Sequence, residues 1–260
     1  MLIDTHAHLD DERFEPDLPA VLARAREAGV TTIVNASYDL ASAARAVRLA
    51  AVNPWIYATC GIHPHDAQSV PPDYLEQLRA LLAQPGVVAL GEIGLDYYRN
   101  LSPREDQQRV FREQLALARE LNLPVVIHNR DAHADVLHIL TSDGVGPAGG
   151  VMHCFSGSWE MAGQFMKLGL YISLAGPVTF TGAPKLAEVA SRLPVGRLLV
   201  ETDCPYLAPV PYRGRRNEPA LVRLVAEKVA SLRGMPLEEL AACTAQNARA
   251  VFGLRRWDRG

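Results

Sequence analysis

Short apolar runs alternate with longer amphipathic stretches along nearly the whole chain. Segments such as Val-Val-Ala-Leu at 87–90 and Pro-Val-Val-Ile at 124–127 are apolar at nearly every position. Runs of this kind are typical of parallel strands, because helices cover both faces of a parallel sheet. The predicted strands are Met1–His6, Thr31–Asn35, Ile56–Cys60, Val87–Gly91, Pro124–His128, Gly150–His153, Tyr171–Leu174 and Leu198–Thr202.

The amphipathic stretches repeat their apolar residues with the period of an α-helix. The predicted helices are Leu18–Ala28, Leu40–Ala51, Pro72–Ala83, Pro103–Leu121, Ala132–Leu140, Trp159–Leu168 and Pro184–Leu193, with a final helical region over Pro219–Leu232 and Pro236–Phe252. This alternation predicts an α/β fold, a TIM-type (β/α)8 barrel in which residues 1–260 form a single domain. An open doubly wound sheet is the alternative, but no Gly-x-Gly-x-x-Gly follows the first strand.

Composition places the chain among ordinary soluble proteins, with 48% hydrophobic and 21% charged residues. A net charge of −3 argues against a protein that holds nucleic acid by its overall charge. The four cysteines form no Cys-x-x-Cys pair, no apolar run approaches the length of a membrane span, and the N-terminus does not resemble a signal peptide. We therefore expect a reduced, cytoplasmic protein with no membrane contact and no obligate protein partner.

Side chains that can bind metals cluster where the predicted strands end. Five of the eight histidines lie at these ends or just beyond them, and acidic residues accompany them. In a (β/α)8 barrel the carboxyl ends of all strands meet at the face that carries the active site. The segments concerned are Asp4-Thr5-His6-Ala7-His8, Gly61-Ile62-His63-Pro64-His65, Gly91-Glu92-Ile93-Gly94-Leu95-Asp96, His128-Asn129-Arg130-Asp131, His153-Cys154-Phe155-Ser156-Gly157 and Glu201-Thr202-Asp203-Cys204-Pro205.

This set of residues predicts a centre with two divalent metal ions. His6 and His8 are two apart on a strand and therefore point to the same side. Ionisable groups at buried strand ends need a metal or a polar partner, whereas a lone histidine is more often a satisfied core residue. Four imidazoles with one bridging and one terminal carboxylate suit two ions about 4 Å apart. The predicted ligands are His6, His8, Glu92, His128, His153 and Asp203.

The same segments, together with Arg213-Gly214-Arg215-Arg216-Asn217-Glu218-Pro219, resemble the TatD family of metal-dependent deoxyribonucleases over nearly the whole chain. The resemblance implies that His6 and His8 bind one metal ion and that Glu92 bridges the pair. His128, His153 and Asp203 then complete the ligand set. It also implies Mg²⁺, Mn²⁺ or Zn²⁺ as cofactors and cleavage of DNA, often from the 3′ end of single strands.

Several polar residues beside the predicted ligands are candidates for catalysis or substrate binding. His63 is a candidate for a phosphate contact or for the acid that assists the leaving oxygen, or else a structural loop histidine. Arg130, Arg213 and Arg215 are candidates for phosphate contacts. The alternatives are a salt bridge of Arg130 and an ordinary solvated loop around the other two arginines. Glu201 is expected to orient a ligand or to accept a proton from water, a role also open to Asp203.

The sequence thus predicts a deoxyribonuclease that uses a water activated by two metal ions, with 3′-5′ exonuclease action on single strands. The alternative is a hydrolase of another ester, either a small phosphate ester or aminoacyl-tRNA, on the same metal site. Barrel hydrolases whose metals are bridged by a carboxylated lysine are disfavoured, since Lys167, Lys185 and Lys228 all fall in predicted helices. A metal site without catalysis is also disfavoured, because structural zinc sites are usually closed and rich in cysteine.

Overall fold

The computed structural model describes residues 1–254, and the last six residues of the predicted domain lie outside this range. Within this range the strands are β1 (Leu2–Ala7), β2 (Val30–Asn35), β3 (Ile56–Cys60), β4 (Val87–Asp96), β5 (Val125–Arg130), β6 (Gly150–Met152), β7 (Leu170–Leu174) and β8 (Leu198–Val200). The α-helices are α1 (Leu18–Glu27), α2 (Leu40–Val52), α3 (Tyr74–Leu82), α4 (Arg104–Leu121), α5 (His133–Asp143), α6 (Trp159–Lys167), α7 (Pro184–Arg192), α8 (Val222–Arg233) and α9 (Leu237–Phe252). None of the helices in this part of the chain is long and apolar enough to cross a membrane.

The strands belong to one sheet in which their spatial order follows their order along the chain, from β1 to β8. The pairs β1–β2, β3–β4, β4–β5, β5–β6 and β7–β8 are parallel. A parallel bridge between Ala7 and Cys204 joins the end of β1 to the segment that follows β8. This topology, with a helical connection between successive parallel strands, is that of the predicted (β/α)8 fold.

The strands are buried on both faces, including the polar residues that β1 and β4 carry toward their carboxyl ends. All six residues of β1 and the last eight residues of β4 are buried. The helices bury only one stripe: in α4 the residues Val110, Phe111, Leu115 and Ala118 are each at most 2% exposed. Burial on both strand faces and on one helix face is the layering that the hydrophobic pattern predicted.

The structure divides into two compact units. The first contains Met1–Asn35, Cys154–Gly163 and the described residues from Ile172 onward, and the second contains Ala36–His153 and Gln164–Tyr171. β1, β2 and β8 therefore lie in the first unit, and β3 to β6 lie in the second. The single domain expected for residues 1–260 stays a prediction.

Element bounds differ from the predicted ones mainly at the functional segments. β4 continues to Asp96 instead of stopping at Gly91, so Glu92 lies within a strand. β8 ends at Val200 instead of Thr202, and β6 ends at Met152 instead of His153. After both shortened strands a residue adopts a positive φ, +43° at Cys154 and +58° at Asp203, which is incompatible with a continuing strand.

Candidate metal centre

In the first unit, the end of β1 and the segment after β8 are joined by reciprocal backbone hydrogen bonds. The Asp203 N–H donates to the His6 carbonyl at 2.9 Å, and the His8 N–H donates to the Cys204 carbonyl at 2.8 Å. Asp203 adopts the left-handed conformation that non-glycine residues rarely occupy. Such strained backbone is common at functional sites, where surrounding contacts hold it. These hydrogen bonds bring His6 and His8 close to Asp203, almost 200 positions away in the sequence.

His6, His8 and Asp203 form the first cluster. The Nε2 atoms of the two histidines are 3.2 Å apart. Asp203 Oδ1 lies 3.5 Å from His8 Nε2 and 3.8 Å from His6 Nε2. All three residues are at most 9% exposed. Three potential ligand atoms thus converge on one point, as expected for a site that holds a divalent cation.

Asp4 supports this cluster indirectly, because it accepts hydrogen bonds from Thr202 in the segment after β8. Its Oδ1 accepts the Thr202 N–H at 2.9 Å, and its Oδ2 accepts the Thr202 hydroxyl at 2.6 Å. Burial raises the pKa of Asp4 to about 8, although both hydrogen bonds from Thr202 act in the opposite direction. Asp4 lies in the predicted functional segment at the end of the first strand, but no role was predicted for it. In the structure, its hydrogen bonds join β1 to the segment that carries Asp203.

Glu201 is fully buried in the same unit. Its Oε1 accepts the Cys154 N–H at 2.6 Å, and its Oε2 lies 3.5 Å from the Thr5 hydroxyl. The first of these contacts ties the segment after β6, where Cys154 has a positive φ, to the segment after β8. This hydrogen bond positions the segment after β6, and the two alternatives for Glu201, orienting a ligand or accepting a proton from water, stay open.

In the second unit, glycines allow β4 and β5 to approach closely at the functional residues. A Cβ atom on Gly94, where φ is +140°, would lie 2.0 Å from the His128 carbonyl oxygen. A Cβ on Gly91 would lie 2.6 Å from the Val126 side chain. Only glycine fits such contacts. Because β4 and β5 pair with Gly94 opposite His128, the side chain of Glu92 lies beside that of His128.

Glu92, His128 and His153 form the second cluster. Glu92 Oε1 lies 2.8 Å from His128 Nδ1 and 2.8 Å from His153 Nε2. The two ring nitrogens are 3.5 Å apart. His63 Nε2 lies 3.6 Å from the same carboxylate oxygen. The structure therefore assembles three of the predicted ligands and brings His63 next to them.

Asp96 orients His128. Its Oδ2 lies 3.1 Å from His128 Nε2 and 3.0 Å from His65 Nε2, and its Oδ1 accepts the Arg99 N–H at 2.8 Å. A carboxylate only accepts, so His128 donates its Nε2–H to Asp96, and Nδ1, which faces Glu92, is the ring nitrogen left to bind a metal ion. Carboxylates that hold the far nitrogen of a histidine are typical of metal sites. Asp96 and His65 lie in the predicted functional segments, but no role was predicted for either residue.

His63 has a different hydrogen-bond pattern. Its Nδ1 accepts the His65 N–H at 3.1 Å, so the neutral ring carries its proton on Nε2, the atom that faces Glu92. Burial lowers the pKa of His63 well below its usual value, and the neighbouring His128 lowers it further. A neutral imidazole with an N–H directed into the site suits donation to a substrate oxygen better than metal binding. The contact of His63 with the substrate stays a prediction.

The candidate substrate arginines are exposed and lie against aromatic rings. Arg130 stacks 4.0 Å from the centre of the Tyr98 ring, and Asp135 instead accepts the Tyr97 hydroxyl at 2.7 Å. Arg130 forms no ion pair with a carboxylate among residues 1–254, and its contact with a phosphate stays a prediction. Arg213 and Arg215 lie in the exposed segment after β8.

The donor set of both clusters fits divalent cations. Each cluster directs imidazole nitrogens and carboxylate oxygens at one another across 2.8–3.8 Å, and no lysine or arginine is among the groups that converge there. Facing lone pairs of neutral imidazoles repel each other unless a proton or a cation lies between them. Nitrogen and oxygen donors of this mixture suit Zn²⁺, Mn²⁺ and related ions. The three lysines lie in α6, α7 and α8, as predicted, so none is a bridging ligand.

Comparison with known proteins identifies relatives over almost the full length. The family model described as "TatD related DNase" matches residues 3–253. The chain is 48% identical to the "uncharacterized metal-dependent hydrolase YabD" of Bacillus subtilis, over 97% of this chain and 99% of that protein. It is 39% identical to the "3'-5' ssDNA/RNA exonuclease TatD" of Pantoea vagans, over 97% and 100% of the two chains.

Among solved structures, the crystal structure of YJJV, a TatD homologue from Escherichia coli K12, superimposes with a TM-score of 0.93. The two sequences are 36% identical, and the match covers 98% of each chain. This likeness confirms the TIM-type barrel fold predicted from the hydrophobic pattern. It also agrees with the family model and the sequence relatives. The chain therefore belongs to the TatD family of metal-dependent hydrolases.

Proposed function

We propose that this hydrolase cleaves the phosphodiester bonds of single-stranded DNA and removes nucleotides from the 3′ end. The observation that carries the proposal is the convergence of histidine nitrogens and carboxylate oxygens, in the two clusters described above, at the strand ends of a TatD-family chain. The name of the Pantoea vagans relative, a 3'-5' exonuclease of single-stranded DNA and RNA, supports the substrate and the polarity.

Each cluster is proposed to hold one divalent cation, Mg²⁺, Mn²⁺ or Zn²⁺. His6, His8 and Asp203 would hold the first, and Glu92, His128 and His153 would hold the second. The bridging role of Glu92 stays a prediction. Bound cations supply Lewis acidity, lower the pKa of water, and offset the phosphate charge that a chain of net charge −3 does not neutralise by itself.

The protein's own side chains then have distinct tasks. The His63 Nε2–H donates to the leaving oxygen as negative charge develops there. Asp203 accepts the proton of the attacking water, while Glu201 holds the backbone around the site through its bond to the Cys154 N–H. Arg130 binds a phosphate of the substrate, since it forms no ion pair with a carboxylate among residues 1–254.

The test is cleavage of single-stranded DNA labelled at the 5′ end or the 3′ end, with purified protein and Mg²⁺ or Mn²⁺. A His128→Ala preparation, purified in parallel, controls for contaminating nuclease. The proposal predicts a ladder that shortens from the 3′ end, needs metal and is absent in the variant. No cleavage at confirmed metal loading would refute it. It would favour a small phosphate ester or aminoacyl-tRNA, in keeping with the broader name of the Bacillus subtilis relative.

A further inference from the structure

The segment that follows Asp203 exposes an unusual number of apolar side chains. Eight large hydrophobic residues are exposed in the described part of the chain, and four of them lie within residues 206–212. These four are Tyr206, Leu207, Val210 and Tyr212, with exposed fractions of 39–47%. Clustered apolar exposure on a soluble protein commonly indicates a binding surface. Residues 206–215 are called the aromatic loop below.

The aromatic loop is ordered by buried polar contacts, although its side chains face solvent. Asn217 is fully buried, and its Nδ2 donates to the carbonyls of Thr202 at 2.8 Å and Tyr206 at 2.6 Å. The Val210 N–H donates to the Thr179 hydroxyl at 2.9 Å. A loop fixed in this way presents its side chains without the entropy cost of ordering them when a ligand binds.

Close packing fixes the first half of the loop as well. A Cβ atom on Gly176 would lie 1.9 Å from the Leu207 carbonyl oxygen, so the backbone of the loop rests directly on the segment after β7. The exposed apolar side chains therefore belong to an immobilised backbone. Their exposure is a property of the fold and calls for a ligand-based explanation.

The loop also carries positive charge that no carboxylate among residues 1–254 neutralises in an ion pair. Arg213 lies 4.5 Å from the centre of the Phe180 ring, and Arg215 lies 6.0 Å from that of Tyr212. Neither arginine takes part in an ion pair among residues 1–254, whereas the next residue, Arg216, pairs with Asp17 at 2.7 Å. Two arginines beside aromatic rings are thus available to an anionic ligand.

The loop begins at the first metal cluster. The rings of Tyr206 and His8 are in edge-to-face contact, with centroids 5.9 Å apart. Arg13 lies 4.4 Å from the centre of the Tyr206 ring, and Asp11 holds that arginine at 2.7 Å. A ligand on the loop would therefore extend directly to the atoms proposed to bind metal.

We propose that the aromatic loop is a stacking platform for single-stranded nucleic acid. Bases stack on Tyr206 and Tyr212, and Arg213 and Arg215 contact the phosphates between them. Stacking on aromatic rings tolerates any base and needs unpaired bases, because the bases of a duplex are already stacked on one another. The proposal rests on the proposed function, and it assigns that function's preference for single strands to particular side chains.

The test measures binding of a fluorescein-labelled single-stranded oligodeoxynucleotide by fluorescence anisotropy, in the His128→Ala background to prevent cleavage. Tyr212→Ala should weaken binding about 10-fold, and Tyr212→Phe should restore most of it, because stacking needs the ring and not the hydroxyl. Arg213→Ala and Arg215→Ala should each reduce the slope of log K against log salt by about 1. Val52→Ala and Arg223→Ala, at exposed positions on α2 and α8, are the matched controls and should bind like the parent.

Each outcome separates this proposal from the exonuclease proposal. If the wild type cleaves single strands and Tyr212→Ala leaves both KM and binding unchanged, the platform is refuted and the exonuclease stands. If the wild type does not cleave but binds single strands through Tyr212 and Arg215, the platform stands alone. Equal losses for a blunt duplex and for a single strand would also overturn the platform. A dimer that these substitutions dissociate, with no effect on oligonucleotide binding, would show that a second copy of this chain occupies the surface instead.

Discussion

Replacement of Asp96 by asparagine should disturb the second cluster without touching any predicted ligand. Asp96 is 1% exposed, and one of its oxygens accepts from both His128 and His65. Asparagine has nearly the same shape but presents one oxygen and one NH₂ group. If the NH₂ group faces the two imidazoles, both lose their acceptor; if it faces the Arg99 N–H, that hydrogen bond is lost instead. In either orientation the negative charge that holds the Nε2 proton of His128 is gone.

The expected magnitude follows from the burial and charge of this contact. A hydrogen bond to a charged group contributes about 1.5–3 kcal/mol, and breaking a buried ion pair costs about 3–5 kcal/mol. Because asparagine still accepts one hydrogen bond, we expect the metal-free protein to lose about 2–3 kcal/mol of unfolding free energy. Metal affinity should fall about 10- to 100-fold, since His128 is no longer held in its ligating tautomer.

The stability difference should depend on pH in the metal-free protein. Burial alone raises the pKa of Asp96, but the hydrogen bonds from His128, His65 and Arg99 outweigh it, and the net shift is downward. Burial lowers the pKa of His128, but its bonds to Asp96 and Glu92 outweigh this and raise it. The carboxylate's contribution is lost as pH falls through its lowered pKa. That of the imidazolium is lost as pH rises through its raised pKa, so the difference should be largest between about pH 4 and 6.5.

Urea denaturation of the chelated proteins across this pH range gives the stability difference, and calorimetric titration with Mn²⁺ or Zn²⁺ gives the affinity. Asp106→Asn is the matched control, because Asp106 pairs with Arg109 on the exposed side of α4. Exposed pairs contribute at most about 1 kcal/mol, so this variant should keep its metal affinity. An Asp96→Asn protein that binds metal as tightly as the wild type would refute the orienting role of Asp96.

Three further substitutions test other parts of the structure. Glu92→Gln should remove the ion of the second cluster and abolish turnover while the fold is retained, measured as bound metal per chain and by circular dichroism; full activity at full metal occupancy would contradict its role. Asn217→Ala leaves two buried carbonyls without donors, so it should cost about 1–3 kcal/mol in urea denaturation and raise KM for oligonucleotides. An unchanged KM would detach the aromatic loop from substrate binding. Gly94→Ala forces a Cβ against the His128 carbonyl and should destabilise the fold by at least about 2 kcal/mol in the same assay; a neutral effect would show that β4 and β5 can separate there.

The fold was predictable because the hydrophobic pattern alone specifies buried parallel strands and amphipathic helices. The strand ends were predictable as the site because metal-capable residues accumulate there. His6 and His8 were predicted together from their two-residue spacing at the end of the first strand, and Glu92 from its position directly after the predicted fourth strand. Predicted strand ends failed by a few residues where Cys154 and Asp203 take positive φ, since hydrogen bonds between distant segments stabilise those conformations.

The contacts that tune the site could not be read from the sequence. The link between His65 and Asp96 joins two segments 31 residues apart, and it depends on the turn after β3 and on the extra length of β4. The tautomer of His63 depends on a backbone N–H that only the folded turn supplies. Residues 206–212 of the aromatic loop, Tyr-Leu-Ala-Pro-Val-Pro-Tyr, are conspicuously apolar in the sequence. That several of these side chains are exposed is known only from the folded backbone.

The most direct test of the account measures bound metal and turnover in the same sample. Chelated protein is titrated with Mn²⁺ while metal per chain and the rate of single-stranded DNA shortening are both recorded. Catalysis by two bound ions predicts no turnover without metal, full turnover at two ions per chain, and one ion lost in His8→Ala and in His153→Ala. Turnover in the metal-free protein, or none with both clusters loaded, would contradict it.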